Sequence, residues 1–297
     1  FHAPSLADAD DQTVDARVQV VPALPSILTP PGYGELSAIV LAGGNPDLEP
    51  EEATTTTIGV EFTPAALPGL NASLTWYDIE FENGLAIPVD STGRIYAIPA
   101  LAEFYTLYPT PAEVAAAIDG LPLDGVLPDP VELILDGRRQ NLQTQLQSGL
   151  DFTVQHHGDA FGGTLALALT GNYILDSEIQ AAPGEAFVST LDSRVRMRAI
   201  SSATWFGDHW RFGAVVNYTG SSTNTTIAPT QSIDEHVTLD LNTGYTFGGD
   251  GALGGITLGL NVDNVFDEDP PSYVGGYGYT NGNPLGRLFA VNLRKTW

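Results

Sequence analysis

Asn141-Leu142-Gln143-Thr144-Gln145-Leu146-Gln147-Ser148-Gly149-Leu150-Asp151-Phe152-Thr153-Val154-Gln155 is the stretch on which the fold turns. Its even positions hold Leu142, Leu146, Leu150, Phe152 and Val154, with only Thr144 and Ser148 between them, and every odd position is polar or glycine. Side chains alternate across a β-strand, so this pattern predicts one long strand between two unlike environments. It recurs. Ile58, Val60 and Phe62 form a weaker row upstream, followed by Leu70, Ala72, Leu74 and Trp76. Leu165, Leu167, Leu169 and Tyr173 share a face, as do Val195, Met197, Ala199, Ala203 and Trp205. Trp210, Phe212, Ala214, Val216 and Tyr218 oppose Arg211, Gly213, Asn217 and Thr219. Val237, Leu239, Leu241, Tyr245 and Phe247 oppose His236, Thr238, Asp240, Asn242 and Thr246. Ile256, Leu258, Leu260, Val262 and Phe266 form the next row, and Phe289, Val291, Leu293 and Trp297 the last.

These strands are long for a soluble sheet, whose strands average about five or six residues, and they suit a tilted membrane-crossing strand of about nine to eleven. Lys295 is the one clear charge on an apolar row, and Trp76, Tyr173, Trp205, Trp210, Tyr218, Phe247 and Trp297 sit near the row ends, where interfacial aromatic girdles lie. A β-sandwich would alternate too, but it would rarely need such lengths or aromatics at both ends. No run of about 18 apolar residues exists for a helical span. The expected fold is therefore all-β, an antiparallel transmembrane β-barrel. The connections support it by alternating in length. Short ones are expected at Thr63 to Gly69, His156 to Gly163, Gly207 to His209 and Gly248 to Gly255. Long ones run from Glu82 to Gly137, Glu178 to Leu191, Thr223 to Ile233 and Asp267 to Gly286. With the C-terminus at the periplasm, every short turn falls on that side and the long loops face outside. Thr110-Pro111 followed by Ala112 to Asp119 predicts one short helix in the longest loop, with a threonine N-cap and Gly120 as the stop.

Nine strands sit poorly with the even count of bacterial single-chain barrels. Phe1 to Leu6 has neither the basic start nor the apolar core of a secretion signal, which an outer-membrane protein needs. Both point to further strands and a signal before Phe1.

The formal charge of −25 disfavours nucleic acid as a partner, because nothing here neutralises phosphates. The absence of cysteine excludes zinc–thiolate sites and cysteine nucleophiles. No G-x-S-x-G or P-loop occurs. His156, His157 and His209 fall in expected turns and His236 on a polar face, with no carboxylate at ligand spacing. No catalytic residue, metal site or cofactor is expected.

Four motifs, in order along the whole chain, resemble those of TonB-dependent receptors. Phe1-His2-Ala3-Pro4-Ser5-Leu6 resembles the family's F-R-A-P-S-L segment, with His2 in place of arginine. Gly44-Asn45-Pro46-Asp47-Leu48-Glu49-Pro50-Glu51 is similar to G-N-P-x-L-x-P-E, and Asn261 to Asp267, containing Asn264, Phe266 and Asp267, to N-x-x-N-L-F-D. Asn283 to Arg287, followed by a strand ending in Trp297, resembles the family's terminal strand.

The resemblance implies the C-terminal part of a 22-stranded barrel around a plug. The plug and the early strands would precede Phe1. It also implies the outer membrane as location and lipid bilayer and lipopolysaccharide as surroundings. The implied partners are the TonB–ExbB–ExbD complex, engaged through the N-terminal part, and the barrel-assembly machinery, which reads the terminal strand. The implied function is active uptake of a scarce small molecule, of the siderophore-iron, vitamin or oligosaccharide class, with no covalent chemistry. A passive porin or surface adhesin barrel is the alternative. Each motif residue has a structural role: Asn45-Pro46 an extended entry and turn, Asn264 to Asp267 a strand exit, Trp297 an interface anchor.

Arg194, Arg196 and Arg198 sit two apart, so all three project from one face near the outer end of their strand. Lipid rejects them, so they belong to the lumen. There they contact an anionic ligand or plug carboxylates, or pair with luminal acids such as Asp240 or Asp263. Asn141, Gln143, Gln145 and Gln147 form a polar row open to a sugar or siderophore, the plug, or water.

Overall fold

The computed structural model describes residues 3–9, 16–89, 94–249, 251–275, 278–279 and 282–296. Trp297, Phe1 and His2 lie outside the described residues. Nine long strands follow one another as an up-and-down meander: β1 (Glu52–Phe62), β2 (Leu70–Ala86), β3 (Gln140–Ala160), β4 (Gly163–Gln180), β5 (Met197–Phe206), β6 (Trp210–Thr219), β7 (His236–Thr246), β8 (Ile256–Asp263) and β9 (Leu288–Lys295). Each is hydrogen-bonded to its sequence neighbours, and the two-residue strand Val188–Ser189 adds to β4. The registers that carry the central wall are antiparallel throughout: Trp205 faces Leu165 on β4 and Phe212 on β6, and Leu241 faces Ala214 on β6 and Val262 on β8. No helix among the described residues is long and apolar enough to cross a membrane.

Chain contacts divide the molecule into two compact units, and β1, β2, β3 and β4 contribute residues to both. The larger unit takes residues 55–78, 147–177 and 189–297. It is a sheet whose apolar rows are exposed: Ile58 is 68% accessible, Leu260 41% and Val291 72%. Apart from Tyr77 and Ile233, the buried apolar side chains among the described residues belong to the smaller unit. A soluble sheet cannot leave such rows in water, since each fully exposed leucine or valine forgoes about 1.5–3 kcal/mol of burial. Hydrocarbon is the environment that tolerates them.

The ends of the rows carry the expected aromatics. Trp205 stacks near Phe212, Phe212 lies 5.4 Å from Trp210, and Trp210 lies 4.7 Å from Tyr245, which meets Phe247 edge-on. The Trp205 indole N–H donates to the Ala160 carbonyl at 2.9 Å, so this interfacial ring has its polar atom satisfied. Lys295, the charge on an apolar row, turns its ammonium into the neighbouring short turn and donates to the carbonyls of Ala252 and Gly254. The charge thus sits at the wall's rim.

Three strands exceed the lengths expected from the sequence: β2 has 17 residues, β3 21 and β4 18. The expected turn from His156 to Gly163 shrinks to Phe161 and Gly162, both with positive φ (51° and 73°). That backbone matches the twist of a tight hairpin, but Phe161 stands where asparagine would announce it. His156 and His157 therefore lie on β3 and not in a turn.

The smaller unit takes residues 1–54, 79–146 and 178–188. Its mixed sheet runs in the order Tyr105–Leu107, Leu133–Asp136, Leu36–Ala42, Arg17–Leu24, Leu123–Asp124. Leu36–Ala42 is antiparallel to Arg17–Leu24 and parallel to Leu133–Asp136. Leu36, Ala38, Leu133 and Leu135 pack on one face with Ile95 and Leu101; Val18, Ile39, Leu41 and Ile134 pack on the other with Val114 and Val131. The helix α1 (Pro111–Ala117) forms as expected. Its Thr110 hydroxyl accepts from the Glu113 N–H at 3.3 Å while Glu113 accepts from the Thr110 N–H at 2.7 Å, closing a capping box. Glu113, held by those bonds, titrates below the usual carboxylate range, as does Glu132 through the Ser37 N–H and hydroxyl. Burial and the nearby Tyr105 push the Tyr96 hydroxyl, which donates to the Leu28 carbonyl, up to about 12.

Leu260→Arg places a guanidinium on the hydrocarbon side of β8 and is expected to destabilise the wall by about 2–4 kcal/mol, measured by urea unfolding in phospholipid vesicles, if the site lies near the bilayer midplane. Tyr96 is expected to keep its proton well above pH 10. Its folded-state pKa is raised, so its contribution to stability is complete below pH 10 and is lost as pH climbs toward 12. Ultraviolet difference titration of wild type against Tyr96→Phe is expected to show one phenol ionising in that late window.

Candidate functional site

The side of the sheet opposite the exposed apolar rows is built from alternating polar residues that satisfy one another. Asn172 on β4 donates to the Tyr77 hydroxyl on β2 at 3.1 Å and to Asp151 on β3 at 2.7 Å. Asn217 on β6 donates to Asp240 on β7 at 2.9 Å. Thr246 and Thr257 share a hydroxyl bond at 2.9 Å across β7 and β8. Asn71 donates to Glu61 at 2.6 Å. These cross-strand pairs make the inner surface a fixed hydrogen-bonded lattice and leave its outward polar atoms to whatever enters the lumen.

One end of this face opens into a cavity of about 510 Å³. Arg194 and Arg198 line it beside Ser222, Thr223, Thr226 and Tyr273. Arg194 follows a single 3₁₀ turn (Leu191–Ser193) in extended backbone, and its Nε donates to the Thr190 hydroxyl at 3.4 Å. Arg198 stands on β5, opposite Thr219 of β6 and Asn172 of β4. Arg196 goes elsewhere: its guanidinium lies 5.2 Å from the centre of the Tyr173 ring. Of the three arginines expected on one face, two share the cavity and the third covers an aromatic. Asp240, named as a possible acidic partner, accepts from Asn217 and from the Asn264 N–H.

Gln143 and Gln145 are half-buried on β3, in the smaller unit, with Gln143 against Gly84. The cavity's hydroxyl-rich wall, Ser222 to Thr226, falls at the start of the expected loop from Thr223 to Ile233, with Ser222 just before it. Its compositional signal was the run Ser221-Ser222-Thr223-Asn224-Thr225-Thr226. Among the described residues no group of three or more His, Asp or Glu is arranged to hold a metal ion. His236 is buried at the start of β7 beside Pro270 and Gly282, and its Nδ1 has no hydrogen-bond partner.

The motif residues act as clamps. Asn45 is buried; its side chain donates to the Arg139 carbonyl at 3.0 Å and to Gln140 at 2.8 Å, and accepts from the Asp47 N–H at 3.1 Å around the turn at Pro46. Asn141 then bridges Glu49 and Asn83 through their carbonyls. Asn264 has φ +52°, and its amide exchanges two bonds with Glu268, at 2.8 and 2.9 Å. Asp267 accepts from the Arg287 N–H at 2.7 Å, and its other oxygen lies 3.9 Å from the Arg287 guanidinium. That closes the base of the β8–β9 connection. Phe266 is 72% exposed, beside the exit, as an interface anchor would be.

The chain matches the family model described as TonB dependent receptor-like, beta-barrel, over residues 10–265. No curated protein matches it. Among solved structures it is similar to the siderophore receptor PirA from Acinetobacter baumannii, with a TM-score of 0.58 at 16% identity, covering 91% of this chain and 35% of that one. A variant of the ferric enterobactin receptor PfeA from Pseudomonas aeruginosa gives 0.55 at 16% identity over 91% and 34%. The FrpB iron transporter from Neisseria meningitidis gives 0.52 at 12% identity over 83% and 32%. The chain thus spans about a third of the length of the structures it matches. At these identities the likeness establishes the fold.

Asn264→Ala removes two amide bonds and puts a β-carbon side chain without asparagine's tolerance at positive φ. A loss of about 1–3 kcal/mol is expected on denaturant unfolding.

Proposed function

The chain belongs to the TonB dependent receptor-like β-barrel family, and from that premise we propose that it forms part of the barrel wall of an outer-membrane receptor that imports a scarce nutrient as an iron–siderophore complex. The observation that carries this reading is the division of the central wall strands into an exposed apolar row and a polar row joined by bonds such as Asn172 to Asp151 and Asn217 to Asp240. Only a sheet with hydrocarbon on one side and water on the other is stable in that state. The iron-siderophore class is supported by the similar structures, which are themselves receptors or transporters of siderophores or iron.

In this reading both units belong to one receptor barrel, whose surroundings are the bilayer and lipopolysaccharide. The long connections face outside and collect substrate. Arg194 and Arg198 meet its anionic groups. Arg196, Gln143 and Gln145 are secondary contacts. A plug domain closes the lumen, and the TonB–ExbB–ExbD complex pulls on it, so the energy comes from the inner membrane and no bond of the substrate is broken. The wall does no catalysis. The barrel-assembly machinery inserts it by way of the C-terminal strand, with Trp297 as the terminal aromatic.

A strain lacking the gene is expected to lose growth on at least one ferric siderophore supplied as sole iron source, and the complemented strain is expected to lose it again when tonB is deleted. Growth that survives loss of tonB would contradict energised import and favour a passive pore.

A further inference from the structure

In the smaller unit, two chain segments leave a paired sheet end and cannot continue the pairing. Leu107 faces Leu133 in antiparallel register, and one further rung follows, the Tyr108 N–H donating to the Glu132 carbonyl at 2.7 Å. Beyond it lie Pro109 and Pro111 on one segment and Pro130 and Pro128 on the other. Proline has no N–H to give a ladder, so the rungs stop and the segments part. One winds into α1, whose capping box fixes its first turn. The other is held by the Ser37 hydroxyl, which donates to the Pro130 carbonyl at 2.8 Å.

The space between them is a cavity of about 440 Å³, within the range of about 300–1,000 Å³ usual for small-molecule sites. Val114 and Val131, both buried, line it together with Ile118 and Leu127, and all four belong to one apolar cluster of the core. The four prolines and Ala115 complete its apolar lining. Proline rings are apolar and fix the backbone that bears them, so the cavity is formed before a ligand arrives and little order is lost on binding.

Asp129 is the one charged residue in the lining. It is exposed, and its carboxylate makes no hydrogen bond or ion pair among the described residues. Asp124 and Asp136, by contrast, are taken by Arg17 and Arg138, at 3.8 and 2.6 Å. No lysine, arginine or histidine occurs between Arg94 and Arg138. Backbone and hydroxyl hydrogen bonds from Thr110 and Ser37 keep Glu113 and Glu132, the sequence neighbours of Val114 and Val131, below the usual carboxylate range. Both therefore stay ionised at neutral pH and add a field of the same sign. Anions are repelled from such a cavity, whereas a cation with an apolar body satisfies both its lining and its carboxylate.

We infer that this cavity binds a small organic ammonium ion with an apolar ring, the ring against the prolines and the charge against Asp129. The inference goes beyond the import reading and concerns other residues: the cavity of Arg194 and Arg198 suits anionic groups, and this one suits the opposite charge.

The test uses the whole protein, purified in a non-ionic detergent, with saturation-transfer NMR as readout. Three probes share one phenyl ring and differ in charge: benzyltrimethylammonium, benzyl alcohol and phenylacetate. The cation is expected to bind saturably with a Kd of about 1 mM or tighter, and phenylacetate not measurably. Benzyl alcohol is expected to bind about threefold to fivefold more weakly than the cation, the size of an exposed ion pair, and Asp129→Asn to bring the cation down to the level of the alcohol. Ala115→Trp, at an exposed position of α1, is expected to fill the cavity and weaken both cation and alcohol about tenfold or more, with thermal unfolding unchanged within a few degrees. Ala115→Leu, which adds less bulk, is expected to give a smaller loss of the same kind. Equal binding of the three probes, or cation binding unchanged in both Ala115 variants, overturns the site. Wild-type cation affinity in Asp129→Asn overturns the role of the carboxylate. These measurements need neither tonB nor an iron source, so this inference and the import reading fail separately.

Discussion

Hydrocarbon offers no partner to a peptide N–H or carbonyl, and the wall of this protein is the consequence of that constraint. Every strand from β2 to β8 lies between two antiparallel neighbours, so its backbone groups meet inside the sheet. The strands can then afford side chains that a soluble sheet could not show. Ile58, Leu260 and Val291 stand exposed with no layer over them. Two polar groups at the rim are satisfied locally, the Trp205 indole on Ala160 and the Lys295 ammonium on the carbonyls of Ala252 and Gly254.

The opposite side follows from the same alternation. A strand that gives every second residue to lipid has the remaining half for water, and here that half is stitched into pairs such as Asn172 with Asp151 and Asn217 with Asp240. A stitched inner surface does not rearrange easily. Beyond that lattice, Arg194 and Arg198, at the start of β5, and the run 222–226 of the next connection line one cavity. The Asn264, Asp267 and Arg287 contacts show how a connection of more than 20 residues is tied at its base, leaving its outer part to vary.

How far the sequence could be read depended on whether a strand separates two environments. The wall strands do, and period two exposed all nine. Leu36–Ala42 and Arg17–Leu24 do not: Ala38 faces one apolar cluster and Ile39 the other. A strand buried on both sides shows a continuous apolar run without alternation, so this sheet was invisible as a pattern. The Phe161-Gly162 turn was missed because its left-handed backbone lacks the usual asparagine, which made β3 look shorter and moved His156 and His157 into a loop. Helix α1 was legible because its capping residues are local, three positions apart. The site was half legible. Arginine spacing announced Arg194 and Arg198 but could not foretell that Arg196 covers Tyr173. The Gln231 bonds to Ser272 and Val274 join residues some forty positions apart and leave no trace in local sequence.

The central claim is that one side of each wall strand touches lipid and the other touches water. The chain has no cysteine, so single cysteines can be placed along β7 from Val237 to Tyr245 without interference. Each is labelled with a small fluorophore in vesicles containing brominated lipid. The account predicts quenching that alternates with period two, strong at Val237, Leu239, Leu241 and Tyr245 and weak at Thr238, Asp240, Asn242 and Gly244. Uniform quenching, or none at any position, would contradict it.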